Sequence, residues 1–82
     1  MKENTVLKKA LSELKNGQGG RISRIMGEGS IHRRLLDMGL VVGSEIEVLR
    51  VAPLGDPLEI RIKGYNLTLR RAEADGIEVD VI

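Results

Sequence analysis

The stretch LEIRIKGYNLTLR, residues 58–70, alternates apolar and polar side chains on both sides of a single glycine. Leu58, Ile60 and Ile62 share one face while Glu59, Arg61 and Lys63 share the other, the two-residue period of a strand that buries one side. Gly64-Tyr65-Asn66 predicts a tight turn, after which Leu67 and Leu69 resume the buried face. This commits the middle of the chain to a hairpin.

Other segments follow the same rule. Ile46 and Val48 alternate with Glu45 and Glu47, and Ile77, Val79 and Val81 alternate with Glu78 and Asp80. Ile22 to Met26 is a weaker strand pattern between glycines that predict turns on both sides. Between the second and third alternating runs, PLGDP at 53–57 places two prolines around Gly-Asp and predicts a connection with a restricted backbone. About five short strands result.

Helical signals are brief. Ser30 is an N-cap candidate, and Ile31, Leu35 and Met38 follow at i, i+4 and i+7 as the apolar stripe of a two-turn helix. Gly39 supplies a left-handed stop; with Gly39 at C′, Leu35 falls at C3 and Leu40 at C″, the pair whose apolar contact accompanies such an ending. RRAEADG predicts one further helical turn closed by Gly76. The N-terminal NTVLKKALSELKNG fits either a helix stopped by Asn16-Gly17 or a short strand leading into one helical turn at Ser12–Lys15.

The chain has 82 residues, and a domain of that size buries only about 60–65% of the surface its unfolded chain exposes, so the core must be single. Short strands, ten glycines and too few residues for two sheets favour a mainly β fold: a small SH3-like barrel of about five strands with short helices, closing on itself so that no edge is exposed. No repeat or linker divides residues 1–82, which predicts one domain.

Composition narrows the chemistry. With no cysteine there is no disulfide, thiolate metal site or thiol nucleophile. Lysine plus arginine number 13 against 12 aspartates and glutamates, giving no field that attracts a phosphate backbone, and Tyr65 is the only aromatic residue for base stacking. Nucleic acid is not the expected partner. No apolar run reaches the roughly 18 residues of a membrane span, and MKENTVLKK has no signal-peptide stretch, so a cytoplasmic protein is expected.

His32 is the sole histidine, and catalysis would require a partner to orient it; the sequence offers none, so no enzyme activity is expected. As a metal ligand it would need carboxylates such as Glu28 or Asp37, although Asp37 is more easily paired with Arg33 at i, i+4. The plainer reading is a surface histidine. The glycines of GEG lack the phosphate-loop pattern, and Glu28 places a negative charge where a phosphate would sit. Arg33, Arg34, Arg50, Arg61, Lys63, Arg70 and Arg71 are either a mixed solvated face or, gathered together, a docking surface. The partner-binding candidates are Arg34, Leu36, Met38, Leu40 and Arg50.

Taken in order, LSEL, NGQ, RLLDMGLVVGSEIEV, APLGDPLEI, KGYNLTLR and AEADGIEV resemble the FeoA family of small accessory proteins of bacterial ferrous iron uptake. R-L-x-x-M-G-L-x-x-G is carried by Arg34, Leu35, Met38, Gly39, Leu40 and Gly43, and A-P-x-G-D-P by Ala52, Pro53, Gly55, Asp56 and Pro57. The resemblance implies an SH3-like barrel with added short helices. It implies a non-enzymatic role beside FeoB, the membrane ferrous transporter with a cytosolic GTPase domain, by direct contact with its cytosolic region. It supplies no dependable set of iron ligands, and no cofactor is required. A related barrel forms the C-terminal domain of iron-dependent repressors, so the alternative is a carrier or sensor making weak contact with ferrous iron through His32, Glu28 or Asp37. A helix-turn-helix and a dimerisation helix are both missing from the sequence, which argues against a stand-alone repressor.

Overall fold

The computed structural model describes residues 7–27 and 29–81. Six strands form one antiparallel sheet: β1 Lys8–Ala10, β2 Gly19–Ile25, β3 Glu45–Val51, β4 Leu58–Ile62, β5 Tyr65–Leu69 and β6 Ile77–Val81. Helix α1, Gly29–Asp37, lies between β2 and β3, and the single turn α2, Arg71–Ala74, between β5 and β6. The strand order is β1-β6-β2-β3-β4-β5. Among the described residues the ladder therefore ends at β1 and β5, and its hydrogen bonds do not close the ring that the sequence suggested.

The strand beyond the expected five is β1. Lys8, Lys9 and Ala10 pair with Asp80, Val79 and Glu78, and a 3₁₀ turn, Leu11–Glu13, follows. This is the strand-then-turn alternative, beginning one residue before Ser12. A 3₁₀ turn has three residues per turn, so Leu11 and Leu14 at i, i+3 point the same way, and both are buried. Lys8 Nζ donates to Asp80 Oδ1 at 2.6 Å, which raises the lysine pKa above its ordinary value. The small stabilisation that Lys8 gains from this exposed pair is present at neutral pH and is lost as alkaline pH deprotonates it.

Gly19 and Gly20 are not the turn their composition suggested; they lie within β2. Gly20 pairs with Ile46 of β3 on one side and Val81 of β6 on the other. A Cβ here would overlap Val79 Cγ1 and stand 2.5 Å from the Asp80 carbonyl oxygen, so the glycine is needed for the close approach of β6. Gly20→Ala is expected to cost about 1–3 kcal/mol through overpacking, read as a lower urea midpoint with an unchanged slope. An unaltered midpoint would show that β6 can move aside freely.

Two β-bulges decide which side chains reach solvent. In β3, Arg50 has the same parity as the buried Ile46 and Val48, and strict alternation would aim it at the core. The register shifts between Val48 and Arg50, so Arg50 instead pairs with Glu59 and is exposed, while Val51 meets Leu58. The shift between Ile22 and Arg24 in β2 does the same for Arg24, and the Ser23 hydroxyl donates to the Glu78 carbonyl at 3.2 Å.

Ile62 faces Tyr65 across the β4–β5 hairpin, so the turn is Lys63-Gly64, earlier than expected, with Tyr65 and Asn66 already in β5. Both turn residues have positive φ, 51° and 85°, matching the twist of the strands they join. The core is aliphatic: Leu11, Ile22, Leu35, Leu40, Val48, Leu58, Ile60, Ile62, Leu69, Ile77 and Val79 are fully buried. Helix α1 contributes Leu35 to it.

Candidate functional site

Helix α1 takes in Ser30 within its first turn, so Ser30 does not precede the helix as a cap. Its other end follows the Leu35-Gly39-Leu40 spacing. Leu40 N–H donates to the Leu35 carbonyl at 3.0 Å and Gly39 N–H to the Leu36 carbonyl at 2.9 Å, with Gly39 at φ +92°. Leu35 and Leu40 are both buried, which completes a Schellman ending and its apolar contact.

Tyr65 clasps this end from the hairpin. Its hydroxyl donates to the Met38 carbonyl at 2.7 Å, and a Cβ on Gly39 would stand 2.5 Å from Tyr65 Oη. Glu73 of α2 holds the helix from beneath. Only 6% exposed, it accepts the Arg70 backbone N–H at 2.9 Å through one carboxylate oxygen and faces Arg34 Nε at 3.2 Å with the other. One buried carboxylate thus caps α2 and ties it to α1.

The PLGDP loop braces α2 from its other side. Asp56 Oδ1 accepts the Arg71 N–H at 3.1 Å, while Gly55 N–H donates to the Ala52 carbonyl at 2.7 Å and Ala52 N–H to the Pro57 carbonyl at 3.0 Å. Gly43, at φ +96°, donates its N–H to the Ile22 carbonyl at 2.8 Å and turns the chain into β3. Both motifs therefore carry structural contacts: one ends α1, the other starts α2.

The sequence-derived docking set is dispersed. Leu40 has no exposed surface and is a core residue, because the Schellman geometry turns C″ inward; it offers no anchor to a partner. Met38 is half-buried and packed on the core. Arg34 is committed to Glu73, and Arg50, on β3, to Glu59 at 3.6 Å. Leu36 remains 45% exposed. Arg61 pairs with Glu47 and Arg70 with Asp56, so much of the basic set is interleaved with acids.

His32, Arg33, Leu36 and Asp37 border one shallow, open depression on the outer face of α1. No Arg33–Asp37 ion pair forms among the described residues. Glu28 lies outside those residues, within which no three histidine, cysteine or carboxylate side chains converge as a metal set. Sequence reasoning passed over Glu73 and Tyr65. Their signals were faint: a carboxylate in the first turn of a four-residue helix, and the sole aromatic residue beside a turn.

A six-stranded antiparallel sheet around one aliphatic core, with two short helices, defines an SH3-like domain. A family model described as the FeoA domain matches residues 9–81. Over 72 residues the chain is 47% identical to a Fe(2+) transport protein A/Fe(2+) transporter FeoB fusion protein of Porphyromonas gingivalis, spanning 88% of this chain and 8% of that much longer protein. The crystal structure of Stenotrophomonas maltophilia FeoA complexed with zinc, described as a procaryotic SH3 domain protein, matches with a TM-score of 0.75 at 27% identity, covering 94% of this chain and 91% of that one. A manganese-dependent transcriptional repressor, 20% identical with a TM-score of 0.86 over 96% of this chain and 44% of its own, shares the fold. The chain belongs to the FeoA family.

Proposed function

We propose that this protein is a non-enzymatic cytoplasmic accessory module of ferrous iron uptake, binding and modulating the cytosolic region of a FeoB-type transporter. The observation that carries this reading is the Porphyromonas gingivalis relative, in which an FeoA part and FeoB share one polypeptide. Tethering raises the effective concentration of two parts to the millimolar range, which favours a contact too weak to persist between separate chains. No helix among the described residues is long and apolar enough to cross a membrane, which fits attachment through a partner. Of the sequence-derived docking residues, Arg34, Leu36 and Arg50 keep exposed side chains. In a pull-down the full chain should retain the detergent-solubilised transporter. Absence of contact across salt and nucleotide conditions, with iron uptake unchanged on deletion, would overturn the proposal.

A second reading, a ferrous iron carrier or sensor, is supported by His32 and Asp37 bordering one depression. Imidazole nitrogen and carboxylate oxygen suit a divalent transition metal. Anaerobic calorimetric titration with ferrous ion should show binding that His32→Ala weakens. Equal affinity in the variant removes this site.

A further inference from the structure

Leu54 is the most exposed large apolar side chain among the described residues, at 94%. It stands at the tip of the β3–β4 loop, yet that loop is ordered by two backbone bonds of its own, the Ala52–Gly55 turn at 2.7 Å and the Ala52–Pro57 bond at 3.0 Å, and by the Asp56 carboxylate, which accepts the Arg71 N–H at 3.1 Å. Pro53 and Pro57 restrict it further. A leucine exposed in this way touches little of its own fold, so the rigidity around it does not serve to pack it. A preordered loop loses little conformational freedom when it binds.

Three arginines lie along this loop. A Cβ on Gly55 would stand 2.7 Å from Arg71 Nη1, which places that guanidinium against the loop. Arg70 Nη1 lies 3.9 Å from Asp56, and Arg50 shares a small hollow with Ala52 and Pro57. The side chains of Arg50 and Arg70 are 75% and 70% exposed. Glu59 and Asp56 offset these two, and Arg71 has no ion-pair partner among the described residues.

We propose that Leu54 and its arginine collar are the docking anchor of this module, and that they enter an apolar pocket rimmed by carboxylates on the cytosolic region of the FeoB-type transporter. This rests on the function proposed above and names its surface. The chemistry favours a protein pocket over a lipid surface: one leucine is a minimal membrane anchor, and the collar's net charge is well short of the four to eight basic residues typical of lipid-binding clusters. Guanidinium forks match carboxylates directly. A second copy of this chain is a poorer fit, because Glu45, Glu47, Asp56, Glu59, Glu73 and Asp80 are already engaged in its own ion pairs and Asp37 borders only a shallow, open depression.

The test measures binding of the full chain to the full-length transporter in nanodiscs. Leu54→Ser should weaken binding about tenfold or more, the loss expected on removing a buried leucine from an interface, and Arg71→Ala about threefold. Val42→Ser, at an exposed turn residue before β3 that belongs to no candidate set, should change it less than about twofold. Leu54→Ser should melt with the wild type. Wild-type affinity in Leu54→Ser overturns the anchor alone, and so does a loss confined to Val42→Ser. No binding by the wild-type chain removes the functional reading as well. Loss in Leu54→Ser of binding to phosphatidylglycerol-containing vesicles, or of self-association, with transporter affinity intact, overturns the proposal in favour of a membrane or a second copy.

Discussion

Leu35→Ala is expected to lower the unfolding free energy by about 2–5 kcal/mol, enough in a domain this small to leave much of the population unfolded at physiological temperature. Leu35 is fully buried, the innermost residue of α1 and the apolar partner of Leu40 in the helix ending. Its truncation leaves a cavity where the helix meets the sheet. The rigid strands around it limit collapse, which places the cost above that of simple transfer. Chemical denaturation measures this directly. A loss below about 1 kcal/mol would mean that α1 settles into the gap and contributes less to the core than its burial indicates.

Gly39→Val should cost roughly 2–4 kcal/mol, from two sources that can be separated. At φ +92° a β-branched side chain is strained wherever it sits, and here its Cβ would also stand 2.5 Å from Tyr65 Oη, displacing the hydroxyl from the Met38 carbonyl. Tyr65→Phe alone removes only the hydrogen bond, about 1 kcal/mol. In a Tyr65→Ala background, Gly39→Val should retain the backbone strain and lose the steric part. Its cost there should therefore be smaller than in the wild type. Additive costs would show that Tyr65 does not press on Gly39, and stability unchanged by Gly39→Val would contradict the left-handed ending.

Where the hydrophobic period was strict, the sequence located the element, as in Leu58–Ile62 and Ile77–Val81. The end of α1 was equally legible, because a glycine with leucines at C3 and C″ is a complete local instruction. Where the period slipped, residue-by-residue reading failed. The apolar positions of IEVLRV fall at 46, 48, 49 and 51, a break that marks the bulge and sends Arg50 outward. Gly19-Gly20 looked like a turn because composition does not distinguish a glycine needed for positive φ from one needed for the approach of a neighbouring strand. The α1 ending sets Leu40 against Leu35, which its reading as a partner anchor left out of account; that the pair is wholly buried is decided by the packing of α1 on the sheet.

The sequence alone determined the strand-rich class, the helix stop at Gly39, the constrained PLGDP connection and the two motifs that mark the family, all of them carried by neighbours within a few residues. Only the tertiary structure decided which side chains remain available to a partner. Arg34 was drawn to Glu73 and Leu40 into the core, while Leu54 was left in solvent with Arg71 beside its loop. Periodicity and capping act through the chain's own local geometry. Exposure and ion pairing depend on which distant residue the register brings alongside.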